Sequence, residues 1–86
     1  MLSMAQTLER RQSILNAYKR ELGINKAAEE IGGGISTSTV SGEFFTLDAI
    51  KGRLRRENLT IKKSVLFKIL EREYVYEEEG NETKFP

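Results

Sequence analysis

The sequence predicts a small α+β domain: three to four helices, a C-terminal β-hairpin and one short extra strand. Three observations lead there. Apolar residues recur at helical spacing through most of residues 5–73. β-branched residues gather at Ile35–Val40, and Tyr74-Val75-Tyr76 alternates ahead of a Gly80-Asn81 turn. The chain has only 86 residues, enough for one domain and one core, since domains commonly run about 100–150 residues.

The first helix is expected over Ala5–Leu22. Met4, Leu8, Leu15, Tyr18 and Leu22 fall three, four or seven apart with Ile14 beside them, while Glu9, Arg10, Gln12, Lys19 and Arg20 fill other faces. Gly23 suits a left-handed stop. Heptad spacing of Leu8, Leu15 and Leu22 admits a dimer seam, although three heptads are marginal for one and covering the domain's own core is the preferred use. Asn25 then caps a short helix, Lys26–Ile31, and Gly32-Gly33-Gly34 breaks the chain. Alternation over Ile35–Val40 predicts a strand, followed by a turn at Ser41-Gly42 and a return of Phe44 and Phe45 to the core.

Thr46 is read as the cap of the next helix, with Asp48 near its positive end and Leu47, Ile50 and Leu54 on one face. Asn58 is expected as a left-handed C′ residue and Leu59 as the hydrophobe that folds back. Thr60 caps a last helix, Ile61–Glu73, whose apolar face is Val65, Leu66, Ile69 and Leu70. Tyr74–Glu79 and Glu82–Phe85 complete the hairpin across Gly80-Asn81.

Composition narrows the chemistry. With no Cys and no His, disulfides, thiolate ligands, a thiol nucleophile and the commonest general base are all missing. No enzyme, cofactor or metal site is therefore expected, and no membrane span or signal peptide is read. Glu77, Glu78 and Glu79 lack EF-hand spacing, and Gly32–Gly34 lacks the Lys-Ser/Thr of a P-loop. The overall charge of +1 conceals an asymmetry. Lys51–Lys68 holds seven basic residues against one acid, whereas Glu71–Pro86 holds six acids against two cations. A concentrated basic segment points to an anionic partner.

From Thr46 to Phe85 the expected order is helix, tight turn, helix, hairpin, carried by TLDAIKGRLRRENLTIKKSVLFKILEREYVYEEEGNETKF. Ile69-Leu70, followed by Tyr74-Val75 and the Gly80-Asn81 turn, is similar to the end of a recognition helix and its wing. The chain thus resembles the winged helix-turn-helix superfamily, with residues 1–23 as the N-terminal helix, 46–73 as the helix-turn-helix and 74–86 as the wing.

That resemblance implies double-stranded DNA binding by a small transcriptional regulator or accessory factor, expected as a homodimer in the cytoplasm. The size suits a phage, plasmid or prokaryotic genome. Thr60, Lys62, Lys63, Ser64, Phe67 and Lys68 are assigned to the DNA-facing helix, with Phe67 packing on the N-terminal helix as its alternative role. Lys51, Arg55 and Arg56 are assigned to phosphates, Lys84 to the wing, and Arg53 to surface solubility. An acidic wing departs from the pattern: either the wing tilts away from DNA, or Glu77, Glu78 and Glu79 bind a basic protein surface instead. The rival function is a protein-interaction module or small inhibitor using that hairpin or the N-terminal helix.

A second register is also visible. Ala28-Glu29-Glu30-Ile31-Gly32, followed by Ile35-Ser36-Thr37-Ser38-Thr39-Val40-Ser41, resembles the turn and second helix of a phage-repressor-type helix-turn-helix, with Gly33 and Gly34 as insertions in the turn. The β-branched run and Gly42 oppose a helix there, and the strand is preferred.

Overall fold

A computed structural model describes the backbone of residues 4–77 and the side chains of residues 7–76. Four α-helices follow in order, α1 (Met4–Lys19), α2 (Ile24–Ile31), α3 (Thr37–Glu57) and α4 (Lys63–Glu71), and a π-helical turn spans Arg72–Glu77. Two compact units divide between Thr46 and Leu47, inside α3. No described residue lies in a strand, so the α+β expectation is replaced by an all-helical fold.

In the first unit α1 ends sooner than expected, and Glu21 rather than Gly23 takes the left-handed conformation, at φ 59°. The Leu22 N–H donates to Ala17 C=O (3.2 Å) and the Glu21 N–H to Tyr18 C=O (3.0 Å). This paired 6→1 and 5→2 pattern is a Schellman stop. Gly23 instead caps α2, in extended conformation. Asn25, the expected cap, therefore falls inside the helix.

Ala17 of α1, Ala27 of α2 and Val40 of α3 form a buried cluster, with Leu22, Ala28, Ile31, Ile35 and Phe44 packed around it. The two alanines at its centre let the α1 and α2 backbones approach closely. Tyr18 and Phe44 meet edge to face, ring centroids 5.5 Å apart, a favoured aromatic geometry. Arg20 pairs with Glu30 at 2.8 Å, tying the end of α1 to α2.

The largest local correction is at Ile35–Val40. Ile35 and Ser36 close a turn, and α3 begins at Thr37. Ser36 acts as its N-cap: Ser36 Oγ accepts the Thr39 N–H at 3.1 Å, and Ser36 C=O accepts the Val40 N–H at 3.1 Å. A serine cap is worth about 1 kcal/mol, and Val40 is fully buried. Strand preference of β-branched residues spans only about 1 kcal/mol and depends on a paired neighbour, which the described residues do not provide. Thr46 consequently lies within α3, where its hydroxyl donates to Gly42 C=O at 3.1 Å.

In the second unit, Leu47 and Leu54 of α3 are buried, as are Leu66 and Leu70 of α4 and Tyr74 and Val75 of the π-turn. Val65, expected on the apolar face of α4, is 44% exposed. Tyr74–Glu77 is helical, which removes the first strand of the expected wing. Adjacent Tyr74 and Val75 are both buried while Tyr76 is exposed, so burial here does not alternate as a half-buried strand requires. Gly80-Asn81, the return strand and Lys84 lie outside the described residues.

Arg53 bridges α3 to the π-turn by pairing with Glu73, and it also pairs with Glu57 at 3.2 Å. Burial opposes its charged form, but the Glu73 and Glu57 carboxylates outweigh that effect and raise its pKa. Arg53, expected as a solubilising surface group, is thus a structural tie. Among the described residues, no helix is long and apolar enough to cross a membrane.

Candidate nucleic-acid interface

Two helix–turn–helix arrangements overlap in this chain, with α3 serving both. In the first, α2 leads through residues 32–36 into the start of α3. Gly32, Gly33 and Gly34 all take positive φ, at 69°, 66° and 78°, a conformation that side chains on three successive residues would strain. Gly32 also ends α2, donating its N–H to Ala28 C=O at 3.0 Å. The glycines thus form the turn between α2 and the helix that starts at Thr37.

The exposed side of this stretch is rich in hydroxyls. Ser36, Thr37, Ser38, Thr39 and Ser41 are all exposed. Ser36 Oγ lies 2.9 Å from Thr39 Oγ1 and 3.2 Å from Ser38 Oγ, so the cap is part of a small hydroxyl network. At about 100° per residue, Ser38, Gly42 and Phe45 fall well round the helix from buried Val40. Phe45 is 74% exposed, so its expected return to the core does not occur, while Phe44 is half-buried.

The second arrangement is the end of α3, residues 58–62 and α4. Asn58 is not left-handed; its side chain instead organises the turn. Asn58 Oδ1 accepts from both the N–H and the hydroxyl of Thr60, each at 3.2 Å. Thr60 is therefore held in an Asx turn instead of capping α4. Lys62 is the N-cap residue, without a side-chain cap bond. Leu59, expected to fold back on the core, is 87% exposed.

Thr60, Lys62, Lys63, Ser64 and Lys68 are exposed, whereas Phe67 is half-buried. Ser64 and Lys68, four residues apart, share one side of α4, while Lys63 stands in line with Phe67. The expected DNA-facing residues are thus not one stripe. Arg55 and Arg56 are exposed in the last turn of α3, where cations also complement the helix dipole. Lys51 is half-buried. Glu77 ends the π-turn, and Glu78 and Glu79 lie outside the described residues.

The residues of the expected dimer seam are largely covered within the chain. Leu15 has no exposed surface and Leu22 packs against the Ala17–Ala27–Val40 cluster, while Leu8 is half-buried. Leu15 and Leu22 are therefore already used by the chain itself.

The preferred strand reading of Ile35–Val40 left Ser36, Thr37, Ser38 and Ser41 outside any site, although the second register placed them in its turn and second helix. The available signal was a serine three residues before Thr39, directly after a glycine break, which is a helix start as readily as a strand. Compared with family models, curated proteins and solved structures, the chain matches none.

Proposed function

We propose that this chain binds double-stranded DNA, using α2, the glycine turn and the start of α3 as its reading unit. One observation carries this reading. The Ser36-capped end of α3 is seated on α1 and α2 through Ala17, Ala27 and Val40, and leaves Thr37, Ser38 and Ser41 facing outward. The N-terminal residues of a second helix held this way suit entry into a major groove, and Ser and Thr hydroxyls bond base edges or phosphates.

Attraction and discrimination come from different residues in this reading. Residues 36–46 carry one charged side chain, Glu43, so they add little sequence-independent attraction. Exposed Arg55, Arg56, Lys62, Lys63 and Lys68 supply cations for phosphates.

The test is a mobility-shift titration of random duplex DNA at low and moderate salt, followed by selection of preferred duplexes. Binding at low salt should weaken by orders of magnitude at physiological salt if about four to six cations meet phosphate. Changing Lys62, Lys63 and Lys68 together to Glu should abolish the shift while helicity by circular dichroism is retained. Absence of any shift at low salt with micromolar protein would overturn the reading.

A further inference from the structure

Arg10 of α1 reaches the turn of the proposed reading unit. Its guanidinium Nη2 lies 3.9 Å from where a Cβ on Gly33 would stand. Beside it, Thr7, Arg10, Arg11 and Ile14 of α1 face Thr39 and Glu43 of α3 across a cleft of about 180 Å³. Arg10 and Arg11 are each half-buried, so their stems are partly covered, which reduces the freedom lost when the heads engage a ligand.

We infer that this cleft seats one phosphodiester of a DNA backbone, with Arg10 as its principal donor. The inference rests on reading α2 and α3 as the DNA-facing unit. A guanidinium presents paired donors that match two phosphate oxygens, and Thr7 and Thr39 line the same cleft. Two arginines against Glu43 give the lining a charge of +1. That balance matches a singly charged diester, whereas the Glu43 carboxylate works against a more highly charged free phosphate. The cleft borders the first turns of α3, so a phosphate held there fixes how the reading helix enters the duplex without itself reading sequence.

The test is fluorescence anisotropy of the full chain on a labelled duplex across a salt series. Arg10→Gln should weaken binding and flatten the slope of log K against log salt by about 0.9, the value for one lost phosphate contact. The preference for a selected duplex over a random one should stay unchanged, and Arg10→Lys should restore the slope. An Arg10→Gln chain with wild-type affinity and slope would overturn the phosphate seat while leaving DNA binding intact. Failure of the wild-type chain to bind any duplex would overturn both. Should Arg10→Gln lose helicity, the Arg10 side-chain Nε–H resonance of the wild-type protein decides. It should move on adding duplex and stay in place with inorganic phosphate at equal concentration. No movement with duplex, or equal movement with both, would sink the assignment.

Discussion

The two helix–turn–helix arrangements differ in almost everything except length. Five residues separate the helices in each. The first turn is made by three positive-φ glycines and a serine cap, the second by an Asx turn with no positive-φ residue and no side-chain cap. The first leads into a hydroxyl-rich, nearly uncharged helix start; the second is flanked by Arg55, Arg56, Lys62, Lys63 and Lys68. A helix pair of given spacing is therefore a scaffold, and its surface residues set the chemistry it presents.

The comparison can be broken most severely from the second arrangement. Leu70 is fully buried on a helix of only nine residues that continues into the π-turn. Leu70→Ala should cost about 2–5 kcal/mol, read as a lower denaturation midpoint. A loss below that range would mean that α4 can collapse onto the space left.

Next in size is the cap of the first arrangement. Ser36→Ala should cost about 1 kcal/mol and speed exchange of the Thr39 amide, which loses its acceptor. Unchanged exchange would show that the hydroxyl network is not what starts α3.

The smallest effect sharpens the picture from the opposite side. Gly42 lies inside α3 with nothing within 4 Å of an added Cβ. Gly42→Ala should raise stability by roughly 0.5–1 kcal/mol in thermal or chemical unfolding. A more stable variant that also binds duplex more weakly would place the DNA against this part of α3.

Legibility in the sequence followed the strength of local signals. Helical spacing located α1, α2 and α4 to within a few residues at most ends, because the 3.6-residue period persists over several turns. Cap residues were less readable. Asn25, Thr46 and Thr60 are all good cap types, yet the caps are Gly23, Ser36 and Lys62, since a cap matters only where the backbone leaves the helix. Exposed lysines and arginines at 55–68 were legible as a basic segment, but the role of Arg53 was not, because Glu73 lies twenty residues away in sequence.

The sequence alone determined the absence of thiol and imidazole chemistry, the helical periodicity, and the separation of a basic segment from an acidic end. Tertiary structure decided the fate of Ile35–Val40 and Tyr74–Tyr76, the described stretches read as strand. Both favour strands only weakly and only beside a partner. Burial of Val40 in the first unit, and of Tyr74 and Val75 in the second, accompanies a helical backbone whose hydrogen bonds are made locally.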